Sequence, residues 1–351
     1  MNKIEFIVSG CRSVDCLPKD KVDNLMLAVP NVLKSKSTIK SAKAISKKCE
    51  SLYLDSGGRQ IYMVTSGQRK KYDQFISDKD QPVFFGNTLN IHIEHLKNAV
   101  EIFQPDYLLG LDFPVKPCDD INEQNKRYRE SVKRNVSWAE QTISLRDGHF
   151  KNLKVILPLQ TQNIENLRNY WAKIRHLNPD GVGLPMRCFK NNGRLLEFLL
   201  EMHRLGIRNV HLLGSSKLAA IIISGYLVKN NFFDTITMDS GTWRQAADTE
   251  NFLFPFDLRQ VYISNPKELI NNQTIKLSDA WLDKIEKVVI QAGTKNERFA
   301  LRKFNFKSIQ TTIDGVMRHA ETIPKLTKYL LERSRREVDI MKVVSLLKEK
   351  F

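Results

Sequence analysis

At 351 residues the chain is too long for one small domain; it suits one large barrel with additions, or two domains. Its 55 Lys+Arg against 39 Asp+Glu leave a formal charge of +16, which favours a polyanionic partner such as nucleic acid or an acidic membrane surface. Five scattered cysteines (11, 16, 49, 118 and 188) argue against a disulfide framework and for a reducing compartment.

The first ten residues hold no long apolar signal core. The longest apolar run, Leu218–Val228, is broken by Ser224-Gly225 and falls short of the about 20 residues that span a bilayer. It reads as a buried helix. The expectation is a soluble cytoplasmic protein with no membrane association.

In chain order, Ile4–Val8 reads as a strand ending in Ser9-Gly10. Residues 31–50, rich in Lys and Ser, read as an exposed loop and helix. Ser51–Leu54 is a short strand running into Asp55-Ser-Gly-Gly58, and 66–83 is a polar, basic surface loop. Leu89, Ile93, Leu96, Val100 and Phe103 recur at helical spacing, so 89–104 is a helix that Pro105 stops. Tyr107–Leu111 is a strand closed by Asp112-Phe-Pro114, and 122–145 is a long charged helix. The alternation continues with strand Lys154–Leu157, helix 164–177, strand Gly181–Pro185 and helix 194–205, which Gly206 ends. Strand Asn209–Leu213, helix 217–230 and strand Thr235–Met238 complete the regular series.

Strands alternating with helices favour a parallel sheet. At least six strands end in Asp, Gln or Gly: Asp55, Asp112, Gln160, Gly183, Gly214 and Asp239. No Gly-x-Gly-x-x-Gly follows the first strand, which weakens a Rossmann reading. The expected fold is therefore α/β, a (β/α)8 barrel with the polar strand ends ringing its C-terminal mouth. Gln260–Ser264 and Lys287–Gln291 are the candidates for its last strands. On this reading residues 1–294 form the barrel and 295–351 a basic helical extension. Residues 295–350 carry 14 Lys+Arg and 7 Asp+Glu, a net +7 suited to a phosphate backbone or to a solvated face closing the barrel.

Asp55, Asp112 and Asp239 lie at the ends of three different strands, so their carboxylates can converge in one mouth. Paired acids in one cleft suit glycosidic chemistry, one as nucleophile at an anomeric carbon and another moving protons. Gln160 offers a donor and an acceptor to a heterocycle edge, and Gly183 a close approach to backbone. A single strand-end Asp is equally at home as a helix cap. No His-x-His, His-Glu-x-x-His or Cys-x-x-Cys is present, so no metal site is read from spacing. His211, within a strand, reads as a hydrogen-bonded core residue, and no Ser/His/Asp triad stands out.

The segment Leu54-Asp55-Ser-Gly-Gly58-Arg59-Gln60 resembles the Asp-Ser-Gly-Gly-aromatic-Gln motif of the tRNA-guanine transglycosylases. In the same order, Leu111-Asp112, Pro158-Leu-Gln160, Gly181-Val-Gly183-Leu184, Leu212-Leu-Gly214 and Met238-Asp239-Ser240 resemble the family's further motifs, over roughly residues 50–250. The resemblance implies Asp239 as nucleophile, Asp55 as proton acceptor, and Asp112, Gln160, Gly183 and Leu184 at the base edge, with Gly58 beside them. Arg59 stands where the family stacks an aromatic on the base. Two departures matter. The family's zinc signature is absent, since no Cys follows 188, so no cofactor is expected. Asp112 is followed by Phe-Pro, which is similar to the DNA-acting, DpdA-type members that put a 7-deazaguanine into DNA.

The resemblance thus implies a pentosyltransferase exchanging guanine in DNA for a base such as 7-cyano-7-deazaguanine through a covalent glycosyl–aspartyl intermediate. Trp243, Arg244, Arg302 and Lys303 are the candidate nucleic-acid contacts. An accessory ATPase is a further partner that the resemblance brings with it. Two alternatives stand beside it: the same chemistry on tRNA, and a non-catalytic nucleic-acid-binding barrel subunit.

Overall fold

The structure, a computed structural model, describes residues 2–11, 13–57, 93–114, 120–186, 189, 191–256, 258–262, 279–290, 297–334 and 336–351. Eight strands close a parallel barrel: β1 (Lys3–Val8), β2 (Val22–Ala28), β3 (Cys49–Asp55), β4 (Tyr107–Leu109), β5 (Lys154–Pro158), β6 (Gly181–Pro185), β7 (Asn209–Leu213) and β8 (Thr235–Ser240). β8 returns to β1 with Ile7 opposite Asp239 and Val8 opposite Ser240. Among the described residues no helix is long and apolar enough to cross a membrane.

Helices cover the barrel: α1 (Val29–Val32) and α2 (Lys36–Ser46) after β2, α3 (Ile93–Phe103) before β4, α4 (Ile121–His149) after β4, α5 (Ile164–Ile174) after β5, α6 (Asn192–Arg204) after β6 and α7 (Leu218–Lys229) after β7. Their starts follow local chemistry. Ser35, Asp120, Asn163 and Asn191 each accept a backbone N–H three residues on, satisfying one of the donors a helix start leaves free. α6 ends at Gly206, whose φ of +80° permits the turn.

Strand side chains alternate between two faces. The outward set, including Leu25, Leu54, Val155, Val182, Leu212, Ile236 and Met238, packs under the helices in the main core. The inward set, Ile7, Met26, Tyr53, Leu109 and Ile156, forms a separate cluster filling the barrel. The parity that points these residues inward carries on to polar ones at the C-terminal ends: Ser9 beyond Ile7, Asp55 beyond Tyr53, Asp239 beyond Thr237. The barrel is therefore plugged through its middle and polar at one mouth.

Two strand expectations change. The barrel is complete by Ser240, because β2 supplies the eighth strand; its mixed sequence Val-Asp-Asn-Leu-Met-Leu-Ala shows no clean alternation. Gln260–Tyr262 is a strand, β10, but it pairs antiparallel with β9 (Asn251–Leu253) outside the barrel. Lys287–Ile290 lies in α9 (Asp279–Ile290), where buried Ile285 and Val288 sit three residues apart on one helical face.

After β8 come α8 (Thr242–Asp248), the β9–β10 pair, α9, α10 (Glu297–His319), α11 (Ile323–Arg333) and α12 (Glu337–Lys350). α10 packs on α7, α8 and β1, with Phe306 against Phe6 at 6.0 Å between ring centroids. Buried Phe306, Ile309, Ile313 and Val316 form its inner face, while Lys303 and Lys307 are exposed. Buried Asn305 accepts the Leu253 N–H at 2.7 Å and donates to the Trp243 and Asn251 carbonyls at 3.1 and 2.9 Å. One side chain thereby satisfies three backbone groups that pairing alone would strand.

Candidate active site at the barrel mouth

Asp239 ends β8 facing the lumen. Its Oδ1 accepts the Gly214 N–H at 2.7 Å. Gly214 has φ +74°, a left-handed conformation costly to residues with a Cβ, and this turn after β7 aims the N–H at the carboxylate. His211, two residues before the end of β7, is opposite Thr237 in the register and shares its inward face. Its Nδ1 lies 2.7 Å from the Thr237 hydroxyl and its Nε2 3.3 Å from Asp239 Oδ1, close but not aligned as a hydrogen bond. A carboxylate at Nε2 requires the hydrogen there, so in the neutral ring Nδ1 accepts from Thr237. Burial works to raise the Asp239 pKa, yet His211, the Gly214 N–H and the Ser9 hydroxyl prevail and hold it below the usual 3.8. Asp239 is thus an ionised carboxylate at neutral pH.

Asp55 behaves oppositely. Burial pushes its carboxyl up to about 6; the Gly57 N–H opposes this, and the charges of Asp239 and Asp112 raise it further. The mutual influence shows that the three acids lie near one another. The two Asp-Ser-Gly segments use their serines differently. Buried Ser56 donates to the Gly110 carbonyl at 2.7 Å, tying the β3 turn to the end of β4. Ser240 accepts the Thr242 N–H at 3.0 Å and starts α8.

Asp112 and Gln160 form a buried pair, with Gln160 Nε2 donating to both carboxylate oxygens at 2.8 and 2.9 Å. A carboxylate on that side fixes the amide orientation, so Gln160 Oε1 faces away, and it has no protein partner. A buried acceptor without a donor costs about 1–3 kcal/mol, which a ligand N–H would recover. The next residue, Phe113, is clamped by α4. Its N–H donates to Asn135 Oδ1 at 2.7 Å, and its carbonyl accepts from Ser131 Oγ at 2.5 Å and Asn135 Nδ2 at 3.2 Å.

Gly183 lines the barrel on β6, where a Cβ would meet Leu213 Cδ1 at 3.2 Å, and its carbonyl accepts the Leu159 N–H. Leu184 points the other way, fully buried under the helices, so its side chain is held away from the lumen. Gly58 and Arg59 lie outside the described residues. Trp243 is a correction. It has no exposed surface and packs edge-on against Phe306, so it anchors α8 to α10 and is closed to any polymer. Arg244 and Arg302 sit at the rim around Asp248, and Lys303 is exposed with its Nζ 4.4 Å from the Phe299 ring.

Reading strand ends picked out the acids but passed over His211, Ser9 and the Ser131–Asn135 clamp. His211 had one usable signal: it is an even number of residues from the inward end of its strand. The clamp had none, because α4 meets the β4 loop only in three dimensions.

Among the described residues no three or more His, Cys, Asp or Glu side chains are grouped to hold a metal ion. No protein-family model matches the chain, and no curated protein sequence matches it.

Proposed function

We propose that the chain is a nucleic-acid guanine transglycosylase that replaces guanine in DNA with a 7-deazaguanine. The observation that carries the reading is the pairing of unlike acids in one mouth. Asp239 is held ionised by His211 and the Gly214 N–H, and Asp55 is raised to about 6 beside it. Two carboxyl groups pushed apart in this way divide nucleophile from proton carrier.

Asp239 attacks C1′ of the target nucleoside; the bond from C1′ to guanine N9 breaks and its electrons leave with the base. Protonated Asp55 supplies a proton to the departing guanine. In the second half, the incoming base loses its N9 proton to Asp55 as it attacks C1′, and Asp239 is released. The orphaned Oε1 of Gln160, beside Asp112, supplies an acceptor for a base N–H in both halves. Reaching C1′ in a duplex requires extruding the base, at a few kcal/mol. The +16 charge offsets part of that through phosphate contacts.

The test is incubation with labelled guanine and either DNA or tRNA, followed by a denaturing gel. The expected result is exchange into DNA and a protein–DNA adduct that Asp239→Asn abolishes. Exchange that survives in Asp239→Asn refutes the nucleophile, and exchange confined to tRNA refutes the substrate. A wild-type protein that binds DNA without adduct or exchange refutes catalysis.

A further inference from the structure

Arg244 stands five residues past Asp239, in the first turn of α8, with its neighbour Trp243 turned into the core. Its guanidinium lies over Gly10, where a Cβ would be 3.8 Å from Cζ, Nε and Nη2 alike. Gly10 follows Ser9, whose hydroxyl is one of the groups that lower the Asp239 pKa, so this guanidinium borders the nucleophile's own neighbour. Among the described residues the Arg244 side chain makes no hydrogen bond. Its one ion pair is with Asp248 at 3.9 Å, and its Nε is buried without a partner. Arg302 reaches the same carboxylate at 2.6 Å through Nη2, and its Nε is also buried and unpartnered. Two guanidiniums therefore share one carboxylate. Both side chains are largely covered, at 23% and 17% exposure, so water replaces few of the missing bonds.

Two guanidiniums on one carboxylate, each with a buried Nε–H that finds no acceptor, leave a site short of acceptors and one positive charge in excess. A phosphate fits that deficit: it is anionic, presents several acceptor oxygens, and matches the planar fork of a guanidinium. We infer that Arg244 and Arg302 form a cradle for the backbone phosphate adjoining the nucleotide whose sugar Asp239 attacks. This rests on the polynucleotide reading above. Asp248 keeps the two guanidiniums at one spacing without neutralising both. Exposed Arg298 and Lys303, on the same helix as Arg302, extend positive charge along the rim toward the next phosphate.

The test uses an oligodeoxynucleotide with one target guanine and its counterpart carrying a neutral methylphosphonate at the flanking linkage. Binding is followed by fluorescence anisotropy over a salt series. One lost phosphate contact lowers the slope of log affinity against log salt by about 0.7 to 0.9. Wild type should show that loss on neutralising the linkage. Arg244→Ala should show it already with the normal linkage, and no further loss with the neutral one. Arg244→Lys, which keeps the charge and the fold, should retain the slope but bind several-fold more weakly. A wild-type slope in Arg244→Ala, or an equal response of both proteins to the neutral linkage, overturns the cradle. Inorganic phosphate titrated at fixed ionic strength is the second arm: phosphate binding with no response to the neutral linkage overturns the backbone assignment. Base exchange is scored in parallel. Exchange without any slope change rejects the cradle alone, whereas the slope change without exchange rejects the enzymatic reading alone.

Discussion

Replacing Asp55 by Asn should stabilise the protein while stopping the chemistry. Asp55 is held at about 6 against an ordinary 3.8, chiefly because burial disfavours its charge and Asp239 and Asp112 add repulsion. A folded-state pKa raised above the unfolded one means that the folded state binds its proton more tightly. The contribution of Asp55 is then favourable below about pH 4, declines as pH rises, and reaches its full cost above about pH 6. A displacement of this size corresponds to at most about 3 kcal/mol, and water entering the mouth reduces it to about 1–3 kcal/mol. Asn keeps the shape and removes the charge. In urea or guanidinium unfolding, Asp55→Asn should exceed wild type by about 1–3 kcal/mol at pH 7.5 and by almost nothing at pH 4. The wild-type rate of adduct formation should fall as pH rises through about 6, because Asp55 loses the proton it supplies to the departing guanine. A difference independent of pH, or a destabilised variant at pH 7.5, refutes the electrostatic reasoning.

His211→Phe should remove the group that lowers the Asp239 pKa, slowing adduct formation by about 100-fold and moving the acidic limb of its pH profile upward; an unmoved limb contradicts the role. Asn305→Ala should strand the Leu253 N–H and the carbonyls of Trp243 and Asn251 and cost about 2–4 kcal/mol in denaturant unfolding. Gly315→Ala should drive a methyl into the Tyr329 hydroxyl and cost about 1–3 kcal/mol, seen as a lower Tm, since the ring is stacked on His319 at 3.9 Å and has little room to move. Asn135→Ala should leave the Phe113 N–H without its acceptor, and thermal melting should fall by the equivalent of about 1–3 kcal/mol.

Much of the architecture is local. Seven of the eight barrel strands announce themselves as short apolar runs, most of them closed by Asp, Gln, Ser or Gly, and the helices between them by apolar residues three and four apart. Ser, Asp and Asn before a helix and Gly after one set many of its boundaries. The strand-end acids were legible because an inward position at the end of a strand must be either core or mouth, and a carboxylate is not core. What only the tertiary structure decided depends on register and packing between segments far apart in the chain. The pairing of His211 with Thr237 turns a core-like histidine into a neighbour of Asp239. The docking of α10 buries Trp243 and leaves Arg244 at the rim, although the two are adjacent and were equally plausible as polymer contacts. β2, weak in its own pattern, becomes a strand because β1 and β3 offer it hydrogen bonds on both edges. These outcomes are set by which surfaces meet, and no local window of the chain carries that information.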